Sequence, residues 1–253
     1  MSSIVYEKSK ALTDSEFHYC PGCSHGVIHK LVAESLYELD VYNSSICIAS
    51  VGCSVLAYNY FNCDCIQAAH GRAPAVATGA KRVSPNKIVF TYQGDGDLAG
   101  IGMGEIIHAA LRGENITVIF VNNAVYGMTG GQMAPTTLID QKTTTTPFGR
   151  TEIGQGKPIK ISELISEVPS SFYVERVSVH DVLNIKKAKR AIKKAFENQV
   201  NKKGFSLIEV LSTCNIGWGL SPVEALNYIK DAMIPYYKLG VYKDEGELKR
   251  WKD

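Results

Sequence analysis

Apolar residues recur along this chain in two alternating patterns, one spaced for helices and one for buried strands. Between Gly26 and Leu39, residues Ile28, Leu31, Val32, Leu36 and Leu39 share one stripe at helical spacing. "SICIAS" (45–50) is a short, nearly continuous apolar run and predicts a buried strand, with "VGCS" turning out of it. "APAVATGAKRV" (73–83) is small-residue and helix-compatible, and "KIVFTY" (87–92) predicts a second strand. Met103, Ile106, Ile107 and Ala110 form the next helical stripe, closed by Gly113 where a helix C-terminus favours glycine. "ITVIFV" (116–121) predicts a third strand. "FYVERVSV" (172–179), a helix over about 181–198 and "FSLIEVL" (205–211) add another strand–helix–strand unit. Such alternation predicts an α/β fold: a parallel sheet with helices on both faces.

Regular pattern lapses from Tyr126 to Arg150, in a stretch rich in Gly, Thr and Pro. A loop of that length in a compact domain points to function or mobility. The Thr143–Thr146 run within it reads as a solvated loop. The tail from "SPVEALNYIKDAMIPYY" onward is aromatic and charged, and reads as an arm rather than core. Three regions are expected: an N-terminal extension (1–18), a main domain (19–215) and a C-terminal arm (216–253) packing on that domain or on a partner subunit.

Composition narrows the function classes. A formal net charge of +2 over 253 residues gives no support to nucleic-acid binding. No apolar run approaches the roughly 20 residues that span a bilayer, and the polar start lacks the apolar core of a secretory signal. A cytoplasmic enzyme without membrane contact is expected. Seven cysteines in such a chain point to metal or redox chemistry rather than disulfides.

Candidate chemistry concentrates between Gly94 and Gly131. Gly94-Asp95-Gly96 follows one predicted strand and Asn122-Asn123 the next, so both reach the edge where parallel sheets bind ligands. A carboxylate, an amide oxygen and a nearby backbone carbonyl are hard oxygen donors suited to magnesium or calcium. Flanking glycines let backbone amides approach phosphates, and the following helix directs its positive end at them.

"GDG" followed at that distance by "NN" resembles the diphosphate-binding motif of thiamine diphosphate enzymes. "NNAVYGMTGGQ" and "AAHGRAPAVATGAKR" (68–82) are similar to the β subunits of 2-oxoacid:ferredoxin oxidoreductases, over most of the chain from about Tyr19. The resemblance implies that Asp95, Asn123 and the Val125 carbonyl hold Mg2+. It places Gly94, Gly96 and Asp97 along the diphosphate, with Tyr126, Gly127 and Met128 beside it. It also implies one [4Fe–4S] cluster near the thiamine ring, bound by a CxxC, a Cys some 30 residues on and a distant C-terminal Cys. Cys20, Cys23, Cys53 and Cys214 match that order.

Read without the resemblance, Cys20-Pro-Gly-Cys23 suits zinc, redox or cluster chemistry. No second CxxC provides the other half of a zinc ribbon. A thioredoxin-like disulfide stays open, because Cys23 precedes a helix. Cys53 and Cys214 each follow a predicted strand, and four thiolates at that edge suit an iron–sulfur cluster. Cys47, Cys63 and Cys65 are left over; Cys47 reads as a buried strand thiol.

His25 is placed either to touch the diphosphate or to cap the first helix. His70 is a candidate active-site polar group or a structural hydrogen bond, and Arg72 a candidate partner for anionic substrate or for a neighbouring subunit. His29 and His108 read as packing or surface residues. The Lys-rich "KKAKRAIKK" (186–194) reads as an exposed helix face, with docking of an acidic ferredoxin as its alternative.

The reaction implied by the resemblance is CoA-dependent oxidative decarboxylation of a 2-oxoacid, with electrons passed to ferredoxin or a ferredoxin-like subunit. The glutamate that activates thiamine comes from a pyrimidine-binding domain, so an α-type subunit is expected to complete a hetero-oligomer. "HGRAPAVATG" and "GMTGGQMAPTT" resemble the branched-chain 2-oxoisovalerate and the 2-oxoglutarate types, with 2-oxoisovalerate favoured over 2-oxoglutarate or pyruvate. A non-redox thiamine diphosphate-dependent decarboxylase subunit and a zinc-stabilised phosphate-ligand-binding protein are the alternatives.

Overall fold

The computed structural model describes residues 6–249. Its strands are β1 (Ser45–Ala49), β2 (Asp64–Gln67), β3 (Ile88–Gly94), β4 (Thr117–Asn122), β5 (Val125–Tyr126), β6 (Gln132–Met133), β7 (Ser171–Ser178), β8 (Phe205–Leu211), β9 (Gly240–Asp244) and β10 (Glu247–Leu248). Eight of them form one sheet in the order β10-β9-β7-β8-β4-β3-β1-β2, and β5 and β6 form a small separate hairpin. From β7 to β2 every pairing is parallel. β9 and β10 add an antiparallel edge.

Alternate strand residues serve opposite faces. Phe90, Tyr92, Ile119, Val121, Ile208 and Val210 meet the cluster built on α1 (His25–Glu38) and α7 (Val182–Val200). Val89, Val118, Phe120, Phe205 and Leu207 meet the other cluster, built on α3 (Ala73–Val83), α4 (Met103–Leu111) and α6 (Ile161–Ser166). Most of these side chains are fully buried, each stabilising the fold by roughly 1.5–3 kcal/mol. The short helices α2 (Ala57–Tyr60), α5 (Glu152–Gln155), α8 (Asn215–Trp218), α9 (Pro222–Tyr228) and α10 (Ile234–Tyr236) lie in the connections and the tail. Asp181 caps α7, accepting from Asn184 N at 2.7 Å. Gly113 has φ +59, the left-handed value expected after α4.

Two regions depart from the sequence reading. The tail is core as well as arm: Ile229, Met233 and Tyr237 are fully buried in a third cluster with Ala124, Leu138 and Leu211. Tyr237 Oη donates to Thr136 O at 2.6 Å, so the tail braces the long loop. The loop itself is ordered around Arg150, which donates to the carbonyls of Thr137 (2.7 Å), Pro135 (3.0 Å), Gly156 (3.0 Å), Gln155 (3.1 Å) and Lys157 (3.1 Å). The Thr run is only half solvated, because Thr143 and Thr146 are buried and bonded to each other at 2.6 Å.

Candidate functional site

Four consecutive strands deliver the site. In the order β8-β4-β3-β1, their carboxyl ends lead to Cys214, Asn123, Asp95 and Cys53. A parallel sheet aligns these ends on one edge, which explains why residues spread over most of the sequence converge. A cleft of about 130 Å³ there is lined by His25, Cys53, His70, Gly94, Asp95, Gly96, Asp97, Asn123, Val125, Tyr126, Gly127 and Met128, with Val51, Gly52, Ser54 and Thr129. Larger surface hollows exist, including one of about 890 Å³ beside Glu163 and Lys249, but none gathers a comparable set of groups.

Asp95 is buried, and among the described residues no cation pairs with it. Its carboxylate accepts from Gly96 N at 2.9 Å and from Thr136 Oγ1 at 2.5 Å. Burial pushes its pKa up to about 6, against the lowering effect of these donors. A buried carboxylate that lacks a cation fits a divalent ion.

The Asn122–Val125 turn stands opposite. Asn123 Oδ1 accepts from Val125 N at 3.3 Å, and Trp218 Nε1 donates to Asn123 O at 3.0 Å. Ala124 holds φ +58, a conformation that costs a non-glycine residue on the order of 1 kcal/mol or more. It is kept there by Thr137 Oγ1 on Ala124 O at 2.6 Å and by Asn122 Oδ1 on Ala124 N at 3.2 Å.

Glycine permits a close approach at two places in the cleft. A Cβ on Gly96 would enter the Tyr126 ring, 2.1 Å from Cε1, while Tyr126 Oη donates to Gly96 O at 3.2 Å. A Cβ on Gly127 would stand 3.0 Å from Cys214 Sγ. Gly94 is different, since a Cβ there meets nothing within 4 Å among the described residues.

The CxxC turn is tied to the Cys214 segment. Cys23 N donates to Cys20 O at 2.9 Å. Thr213 Oγ1 donates to Gly22 O at 2.8 Å, and Asn215 Nδ2 to Pro21 O at 3.0 Å. Burial, then the neighbouring Cys53 and Cys20, push the Cys23 thiol up to about 11. Burial, then Cys23, Cys53 and Asp95, push Cys214 up to about 12. Cys53 is raised by burial, then by Cys20 and Asp95. Cys53 thus acts on both Cys23 and Cys214, and Asp95 on Cys53 and Cys214, so a cationic centre among them would offset that repulsion. All four are free thiols. Among the described residues no three His, Cys, Asp or Glu side chains are closed into a metal-holding arrangement, so the thiol donor set fits a cluster in chemistry while its arrangement is open.

Other sequence candidates have definite partners. His25 Nδ1 lies 2.7 Å from Tyr92 Oη, its ring stacks on Tyr19 at 4.6 Å, and burial depresses its pKa to about 4. It lines the cleft as a neutral ring; the N-cap of α1 is Ser24. His70 Nδ1 is 2.5 Å from Asp97 Oδ1. Asp97 also accepts from Gly71 N (2.6 Å) and Gln93 Nε2 (2.7 Å), so its carboxylate anchors the His70 loop while its residue lines the cleft. Arg72 is outside the cleft lining and is ion-paired with Glu105. In the Lys-rich helix, Lys189 and Lys193 pair with Glu38 and Lys194 with Asp244, leaving Lys186, Lys187 and Arg190 exposed. His29 is a packing residue and His108 is exposed, as expected.

Sequence reasoning missed Thr136, Trp218 and Glu209. Glu209, fully buried in β8, accepts from Asn122 Nδ2 at 2.8 Å and lies 2.8 Å from Arg176 Nε. A charged residue inside the apolar run "FSLIEVL" was the available signal.

Known families and structures resemble this chain. The family described as thiamine pyrophosphate enzyme, C-terminal TPP binding domain, matches residues 50–210. A ketoisovalerate oxidoreductase subunit of Methanothermobacter marburgensis is 46% identical over 242 residues, covering 96% of this chain and 51% of that protein. A 2-oxoglutarate synthase subunit of Methanocaldococcus jannaschii is 33% identical over 222 residues, covering 85% and 78%. A 2-oxoglutarate:ferredoxin oxidoreductase from Magnetococcus marinus, solved with 2-oxoglutarate, coenzyme A and succinyl-CoA, shares the fold with a TM-score of 0.79 at 23% identity, over 95% of this chain and 85% of that one. The chain is a member of the thiamine diphosphate-binding subunit family of 2-oxoacid:ferredoxin oxidoreductases. It spans about half the length of the ketoisovalerate oxidoreductase subunits it matches. No helix among the described residues is long and apolar enough to cross a membrane.

Proposed function

We propose that this chain carries the thiamine diphosphate, Mg2+ and [4Fe–4S] sites of an enzyme that oxidatively decarboxylates a 2-oxoacid with coenzyme A and passes the electrons to ferredoxin. The observation that carries this reading is the alignment of Cys214, Asn123, Asp95 and Cys53 on the ends of four adjacent strands. Asp95, Asn123 and the Val125 carbonyl would hold Mg2+, with Gly94 and Gly96 leaving room for the diphosphate. Cys20, Cys23, Cys53 and Cys214 would hold the cluster. Thiamine diphosphate, when bound, supplies the carbon nucleophile that allows a 2-oxoacid to lose carbon dioxide.

Around it this chain's residues bind, orient and insulate. Thr136 and Gly96 N aim the Asp95 carboxylate, and the neutral His25 ring closes one wall. The activating glutamate would come from a pyrimidine-binding domain on an α-type partner. 2-Oxoisovalerate is the favoured substrate, because the ketoisovalerate oxidoreductase subunits are 46% and 45% identical while the 2-oxoglutarate synthase subunits are 32–34% identical. The test is anaerobic purification with iron, sulfide and thiamine diphosphate analysis. Brown protein is expected, with Asp95→Ala losing magnesium-dependent cofactor binding but keeping iron, and Cys214→Ala losing iron. Colourless protein with zinc overturns the reading.

A further inference from the structure

Three cysteines outside the cofactor site lie together near the sheet edge. Cys47, in the middle of β1, is fully buried, and the β1–β2 register sets it opposite Cys65. Cys63 lies two residues before Cys65, in the bend that leads into β2. Both are half-buried against the core cluster that contains Cys47. The Cys47 and Cys63 thiols lie near enough to the Cys65 sulfur to favour its thiolate. Cys65 Sγ also lies 3.6 Å from Cys63 O, a contact that suits the thiol form. Two thiol donors outweigh one long contact, and the Cys65 pKa is lowered by them, against burial and the adjacent Asp64. Lys87 pairs with that Asp64 at 3.5 Å. Among the described residues these cysteines do not form a metal-holding group.

We propose that Cys65 and Cys47 are a redox-active dithiol, oxidised to a cross-strand disulfide by a small-molecule disulfide, with Cys63 as hydrogen-bond donor to the attacking sulfur. The Cys65 thiolate attacks one sulfur of the small disulfide, breaking its S–S bond and releasing one small thiolate. Cys47 gives its proton to that thiolate, and its sulfur attacks Cys65 Sγ, expelling the second small thiolate. The protein loses two electrons, and the small disulfide becomes two thiols once solvent protonates the last leaving group. Backbone spacing selects the pair. Neighbouring strands lie about 4.8 Å apart, inside the window of about 4.4–6.8 Å for disulfide Cα atoms. Cys63, in the bend before β2, lies outside the β1–β2 register. β2 leads into the loop carrying His70 to the cleft, so the bridge would tie that loop's root to the sheet.

The test incubates the anaerobically isolated enzyme with oxidised glutathione, then maps alkylated and disulfide-linked peptides by mass spectrometry. A Cys47–Cys65 peptide is expected, preceded at short times by glutathione on Cys65. Cys65→Ser should abolish both, Cys47→Ala should leave the mixed disulfide trapped, and Cys63→Ser should slow the reaction several-fold. The early glutathione adduct in the unsubstituted protein still decides if Cys47→Ala does not fold. A Cys65 that stays fully alkylatable in folded protein, a link to Cys63 instead, or stoichiometric zinc lost in Cys65→Ser would each overturn the proposal.

Discussion

A Cβ placed on Gly127 would stand 3.0 Å from Cys214 Sγ and 3.9 Å from Cys53 Sγ, so the backbone here passes between the cleft and two of the thiols. Gly127 does not have the left-handed φ that alanine resists. Gly127→Ala is therefore expected to fold normally and to push the Cys214 sulfur aside. Iron content per chain should drop clearly while the far-ultraviolet circular dichroism is unchanged. Full iron occupancy would show that the sulfur is not held where the cluster requires it.

Thr136 is the only side-chain donor to Asp95 among the described residues. Removing a partner from a buried polar group costs about 1–3 kcal/mol. Thr136→Ala should weaken magnesium-dependent thiamine diphosphate binding by about tenfold, and Thr136→Ser should restore it. Calorimetric titration of both variants separates this from a packing defect, which serine would not repair.

Behind the site, Arg176 and Glu209 are a fully buried ion pair joined to Asn122, Ser162 and Glu163. Arg176→Met leaves Glu209 uncompensated, and breaking a buried pair costs about 3–5 kcal/mol. The urea midpoint should fall sharply. Arg176→Met combined with Glu209→Leu should recover part of it, since neither charge is then left alone. A single variant as stable as the unsubstituted protein would dismiss the pair as a structural element.

His29 gives the fold a pH dependence. Its ring stacks on Phe61 at 4.6 Å, its Nε2 has no hydrogen-bond partner among the described residues, and burial, then His25, lowers its pKa from 6.5 to about 3. The unfolded chain binds a proton below pH 6.5 that the native ring refuses. Its contribution is complete above that value and lost as pH falls toward 3, by about 1.4 kcal/mol per unit. Urea titrations at pH 7 and pH 5 should show His29→Phe losing less stability than the unsubstituted protein, by about 2 kcal/mol. Parallel slopes in the two proteins would remove His29 as the source.

Much of this protein was legible in its residues. Helical stripes and apolar runs named the main strands and helices within a few residues, because a parallel strand buried on both faces must be apolar throughout. The pairing of Asp95 with Asn123 followed from one strand–helix–strand excursion, which returns the chain to the same sheet edge. Local pattern had less to say about β2, whose four residues are mostly exposed at the edge, and about β9 and β10, which close an antiparallel edge next to β7. The tail's burial, Thr136 on Asp95, Arg150 inside the long loop and the three-thiol group around Cys65 depend on contacts between residues far apart in sequence. Those contacts are made only when the strand order 8-4-3-1-2 brings the segments together. Periodicity reports which face of an element is apolar, whereas three-dimensional packing alone decides which distant side chain meets it.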